Sequence, residues 1–209
     1  LKKCINIFDS KKITAIMRKY LLLFLLIPFL YGCPPPCEQE EQIDNGHLSN
    51  AALSLVPYQQ AEIYKFKHTN GYVIEFSTER SSSTLYMDMN FNCGPTSKYE
   101  ENTTTLKSDY PIFDINLYVS NSEKDYNSVS IFIGRSAFAF KYSNSNGFMS
   151  DQFQDSVMIN TKKYYNVERL ANFNTFYDEL AFADSIYYNQ EIGIIKIKLS
   201  NGEDYTVEN

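Results

Sequence analysis

The sequence predicts an all-β domain, mostly antiparallel, built as a β-sandwich or an open half-barrel. Three observations carry that expectation. From about Ala61 onward, apolar residues alternate with polar ones, the period-two mark of half-buried strands. Asn70-Gly71 and Asn201-Gly202 fall between such runs, and Asn-Gly readily takes the φ > 0 backbone of a two-residue hairpin turn. A helix finds room only in residues 164–182, where the apolar spacing is irregular; a short helix or a loop is expected there.

The strands follow in order. In "AEIYKFKH", Tyr64 and Phe66 share a face; in "GYVIEFST", Tyr72, Ile74 and Phe76 do. "TLYMDMNF" sets Leu85, Met87, Met89 and Phe91 against Tyr86, Asp88 and Asn90. "FDINLYVS" is the clearest run, with Phe113, Ile115, Leu117 and Val119 on one side. Val129, Ile131 and Ile133 form the next face, then Phe138, Phe140 and Tyr142. Ile195, Ile197 and Leu199 oppose Lys196 and Lys198, and Tyr205 and Val207 close the chain. Sequential antiparallel pairing is the simplest topology.

Ahead of the strands the texture differs. Met17 is followed by Arg18, Lys19 and an apolar run over residues 20–31, interrupted by Pro28. A membrane-spanning helix needs roughly 20 apolar residues, so this run is too short. A basic start and a short apolar core read as a secretory signal peptide. Residues 1–16 read as translated upstream sequence or an extended basic segment, with Met17 the preferred start. The expected division is a 1–16 extension, a 17–32 signal peptide, a 33–57 flexible tether and one β domain over 58–209. In the tether, Pro34 to Pro36 favour a stiff extended chain. The acidic and amide residues behind them carry too little apolar surface to pack.

The end of the apolar run, Leu30-Tyr31-Gly32-Cys33, resembles the lipobox of bacterial lipoproteins. The resemblance implies a diacylglyceryl group on the Cys33 thiol and cleavage just before it. Each buried CH₂ contributes about 0.8 kcal/mol and one acyl chain binds only reversibly, so an anchor of two or three chains is expected to hold. Glu38, Glu40 and Glu41 resemble, at a later position, the acidic cluster that sends some Gram-negative lipoproteins to the cell surface. Pro34 stands where an Asp would signal inner-membrane retention. The expectation is an exported, lipid-anchored protein of the outer membrane, with its face left open. The tail, with Tyr187, Tyr188, Gly193, Ile194, Ile195, Asn201 and Gly202, resembles the closing hairpin of uncharacterised exported lipoproteins of Gram-negative bacteria. That likeness implies a β architecture and brings no activity.

Charge and cysteines narrow the partners. Residues 1–32 hold six of the 19 Lys+Arg and one of the 25 Asp+Glu, so the chain from Cys33 onward carries a formal −11. Nucleic acid, which needs a basic footprint, is not expected. Cys37 and Cys93 are a candidate disulfide for an oxidising compartment; two free thiols are the alternative. His47 and His68 are the only histidines. No metal site or cofactor is expected, since a structural zinc wants four clustered ligands.

No catalytic motif stands out, and no enzyme activity is expected, although an enzyme of unknown class stays open. His47 in the tether and His68 beside a turn read as solvated. Glu100-Glu101 and Asp178-Glu179 are adjacent in sequence, and strand neighbours point to opposite faces, so neither is a natural acid/base pair. Asp155-Ser156-Val157 and Asp184-Ser185-Ile186 resemble an O-glycosylation site of exported bacterial proteins, a motif short enough to arise by chance. Met87, Met89, Phe138 and Phe140 are candidates to line a hydrophobic-ligand cavity in a half-barrel, against the alternative of a filled core. The expected function is an envelope module that binds or supports something outside the cytoplasm; the alternative is a carrier or chaperone for a hydrophobic ligand. The partner would be an envelope protein or a hydrophobic ligand, besides the membrane reached through Cys33.

Overall fold

A computed structural model of the chain describes residues 42–88, 96–110, 113–123, 126–143, 147–148, 152–174 and 181–208, all within the compact unit Glu41–Asn209. Its strands are β1 (Gln42–Asp44), β2 (Ile63–His68), β3 (Val73–Asp88), β4 (Thr96–Lys107), β5 (Ile115–Glu123), β6 (Tyr126–Ile133) and β7 (Ser136–Ser143). They continue with β8 (Gly147–Phe148), β9 (Phe153–Ile159), β10 (Lys162–Ala171), β11 (Ala183–Asn189), β12 (Gly193–Leu199) and β13 (Asp204–Glu208). The helix α1 spans Asn50–Leu53.

One continuous sheet results, in the order β8-β7-β6-β5-β4-β3-β2-β13-β12-β11-β10-β9, with β1 added in parallel to β4. Every other pairing is antiparallel. The order is two meanders joined where β2 meets β13, with Phe66 opposite Val207. The Asn-Gly turns stand where the sequence puts them, with Gly71 at φ 93° and Gly202 at φ 89°. The long alternation from Val73 pairs β3 with β4 from Ser77↔Lys107 to Asp88↔Thr96.

The sheet curls into a half-barrel. Its two edge strands, β8 and β9, are consecutive in the chain. The few residues from Phe148 to Phe153 can span at most about 18 Å at ~3.5 Å each, so the edges must approach. A seam forms at the other end of β7. Phe173 N donates to Ala137 O at 3.1 Å, and Ala137 N donates to Asn172 Oδ1 at 3.0 Å. Across the interior, the rings of Phe140 on β7 and Tyr188 on β11 lie 5.3 Å apart.

The interior is filled by the chain's own N-terminal segment. Leu48, Ala52, Leu55, Val56 and Tyr58 are buried in the same cluster as Phe66, Phe76, Leu117 and Ile131. Burying a side chain such as Leu55 contributes about 1.5–3 kcal/mol. Ser49 caps α1 by accepting from Ala52 N. Leu48 N donates to Glu100 Oε2 at 2.7 Å, and Asn45 N to Lys98 O at 3.0 Å. At the far end of the segment, Arg80 Nη1 donates to Tyr58 O at 3.0 Å.

Three expectations are corrected. The segment 42–57 is not tether: it adds β1 to the sheet and packs α1 and its flanks into the core. Its apolar residues, Leu48 to Val56, are what an open half-barrel needs to cover its inner face. The remaining tether residues lie outside those described. Next, residues 162–171, in and just before the stretch given to a helix or loop, form β10. Asn166, at φ 52°, shifts the alternation there, which is why the apolar spacing reads as irregular. Finally, the outer half of β3 runs beyond the core, so Tyr86 and Met87 are both exposed despite their alternation.

Candidate binding site

Three connections converge at one end of β2. His68 ends that strand, the Asn70-Gly71 turn leads to Tyr72, and the β12–β13 turn carries Asn201, Gly202 and Glu203. The chain after β4 reaches the same end, where the Phe113 and Tyr205 rings lie 5.8 Å apart. The turns are tied together, because Thr69 N donates to Asp204 O at 2.9 Å and Asp204 N donates to Thr69 Oγ1 at 2.7 Å.

His68 is the centre of this end. It is buried, which corrects the expectation of a solvated ring. The reason is visible in its parity: it alternates with Tyr64 and Phe66 on the inward face of β2. Tyr72 stacks on it at 4.7 Å and 20°, and Tyr205 lies 4.6 Å away at 59°. Its Nδ1 accepts from Asn70 N at 3.2 Å. Its Nε2 lies 3.7 Å from Glu203 Oε2, outside hydrogen-bond distance. The ring is thus held by one hydrogen bond and by its packing between Tyr72 and Tyr205, and it serves as a support for Tyr72.

The electrostatics are uneven. Asp204 is neutralised by Lys196 Nζ at 2.5 Å. Glu203 accepts from the neutral Asn201 Nδ2 at 2.8 Å, and among the described residues no Lys or Arg reaches it. Burial, then the nearby Tyr72 phenol, then the Glu203 charge and the Tyr110 phenol push the Tyr205 hydroxyl from 10.0 up to about 12. Tyr72 and Tyr110 remain open to solvent, 43 % and 68 % exposed.

The opposite end of β2 carries a groove of about 440 Å³. Pro57, Ile63, Ile192 and Val207 form its apolar walls, with Lys65 and Glu208 at the rim. Lys65 pairs with Glu75 at 2.7 Å, which raises its pKa.

The residues singled out from sequence fare differently. Phe138 and Phe140 are buried in the packed core, while Met87 is 48 % exposed on β3; Met87 does not join them in one lining. Met89, Cys33, Cys37, Cys93, Glu38, Glu40, Glu41, Asp178 and Glu179 lie outside the described residues. His47 is exposed, with Nδ1 3.3 Å from Glu100 Oε2. Glu100 faces the N-terminal segment through Leu48 N, while partial burial raises the pKa of its neighbour Glu101. Ser185 is buried and unavailable to a glycosyltransferase, while Ser156 is half-buried on the edge strand β9.

No family model, curated protein or solved structure matches the chain. The geometry therefore stands alone. The convergence of His68, Tyr72, Glu203 and Tyr205 depends on the β2–β13 pairing, which joins strands far apart in the chain. Local patterning does not announce such a contact, although the inward parity of His68 does announce its burial.

Proposed function

We propose that the chain is a lipid-anchored binding module of the cell envelope, exported by residues 17–32 and held through Cys33 to the outer membrane. The order of basic residues, short apolar run and Leu30-Tyr31-Gly32-Cys33 supports the anchor. One structural observation carries the choice of a surface binder over a hydrophobic carrier: the half-barrel is occupied by its own Leu48 to Tyr58 segment. A sheet filled in this way has little room inside for an acyl chain, and packed interiors leave few voids. Binding then belongs to the ends of the strands, where loops on a rigid scaffold carry function.

Mass spectrometry of membrane-extracted protein tests this reading. Denatured, the protein should show the mass of residues 33–209 plus a diacylglyceryl group, and Cys33→Ala should lose it. Under native conditions no further lipid should accompany the domain. A retained leader or an unmodified Cys33 would overturn the anchor, and a co-purified lipid would restore the carrier.

A further inference from the structure

We propose that the end of the half-barrel formed by Tyr72, Tyr110 and Glu203 binds an organic cation of the quaternary-ammonium class. The inference rests on the reading of the domain as a surface binder, and it names the ligand chemistry.

The Tyr72 ring is held in place before any ligand arrives. One of its faces is stacked on buried His68, and His68 is itself held by Asn70 N and packed against Tyr205. The stack restrains the orientation of the ring, and Tyr72 is still 43 % exposed. A rigid aromatic loses little entropy on binding. Phe113, three residues on from Tyr110, packs edge-on against Tyr205 at 5.8 Å, and the Tyr110 phenol contributes to the raised pKa of Tyr205, so a second exposed ring lies near the same end.

Charge selects a cation for this place. Aromatic faces are negative and attract cations, with about 0.5–1 kcal/mol per exposed contact and more when water is excluded. Asp204 has a cationic partner in Lys196. Among the described residues Glu203 has only Asn201 and, 3.7 Å away, the His68 ring, and its side chain is 40 % exposed. Negative ring faces beside a carboxylate that no Lys or Arg reaches among the described residues favour a ligand that is both positive and apolar. A trimethylammonium group is such a ligand: its charge is spread over methyl groups, so little hydration is lost on contact. An anionic ligand meets repulsion here, and a hydrated metal ion finds no group of three His, Cys, Asp or Glu among the described residues.

The test is an NMR titration of the lipid-free domain with choline, with its neutral isostere 3,3-dimethylbutan-1-ol, and with a neutral glucose oligomer. Choline should shift the Tyr72 and Tyr110 ring resonances, and the isostere should not. Glu203→Gln keeps an acceptor for Asn201 and removes the charge; it should weaken choline binding by about fivefold or more. Tyr72→Leu should weaken it comparably, with the Tyr58 and Tyr188 resonances unmoved as a check on folding. Equal binding of choline and the isostere would overturn the cation assignment. A sugar that shifts these rings while choline does not would overturn the cation and keep the surface binder. Silence to all three would overturn binding at this end altogether.

Discussion

The ring of Tyr58 occupies the space that a Cβ on Gly193 would need. The Tyr58 hydroxyl accepts from Ile194 N, the next backbone donor, at 2.7 Å. Gly193 is also at φ 85°, a conformation that costs an L-residue roughly 1–2 kcal/mol. Two independent penalties therefore meet at one position.

Gly193→Ala should cost at least about 2 kcal/mol, combining left-handed strain with overlap in a tight core. Urea denaturation would show it as a fall in the midpoint. Gly202→Ala is the control. It has a similar φ of 89° but open space around its Cβ position, so it should cost only the strain. Equal losses at the two sites would mean that Tyr58 yields.

Leu55 tests whether the N-terminal segment belongs to the folded domain. Leu55 is fully buried, and its carbonyl accepts from the buried Tyr188 hydroxyl. Leu55→Ala should cost about 2–5 kcal/mol, the range for deleting a buried leucine side chain. Tyr188→Phe should cost about 1–3 kcal/mol, because it leaves a buried carbonyl without its partner. A chain beginning after residue 57 should fail to give a cooperative transition. Were these residues a tether, all three changes would be silent in calorimetry.

Much of this fold is legible in the sequence. The alternation of Ile115, Leu117 and Val119, or of Val129, Ile131 and Ile133, is a local pattern, and all six side chains are buried as it requires. Both Asn-Gly turns act through the φ > 0 backbone they favour. What escapes is whatever depends on distant partners. The segment 42–57 looks like tether because its acidic and amide neighbours dominate the local composition. Only the curled sheet supplies a face for Leu48 and Leu55. Met87 fails in the opposite sense: its alternation is correct, but β3 runs past the core. The candidate site is less legible still, because Glu203 meets His68 only through the β2–β13 pairing.

Alkaline pH should destabilise the domain once it passes the ordinary tyrosine value of about 10. Tyr205 is raised from 10.0 to about 12, and burial pushes Tyr58 and Tyr188 well up too. The unfolded chain loses these phenolic protons near pH 10, while the folded one keeps them. Between those values the unfolded state binds fewer protons, so stability falls as pH rises. The contribution of Tyr205 is intact below the unfolded value of 10.0 and is lost as pH rises through about 12. Denaturant midpoints measured from about pH 8 to 12 should be flat in the lower half of that range and drop in the upper half. Tyr205→Phe should soften the drop.

Asn172 closes the half-barrel, and its loss should open one seam selectively. Its Oδ1 accepts from Ala137 N and from Asn174 N, both at 3.0 Å. Asn174 Nδ2 in turn donates to Arg135 O at 2.8 Å. Ala137 is buried, so Asn172→Ala strands a donor that water reaches poorly, at a cost of about 1–3 kcal/mol. The sheet away from the seam is held by its own ladders, with Ser77 to Asp88 paired against Thr96 to Lys107. Amide exchange should therefore quicken at Ala137 and Phe173 while Phe76 and Leu106 keep their protection. Asn172→Asp preserves an acceptor and should leave Ala137 exchange near that of the unaltered chain. Uniform acceleration across β3 and β4 in Asn172→Ala would mean that the seam is part of one cooperative unit with the whole sheet, and that closure is a condition of folding.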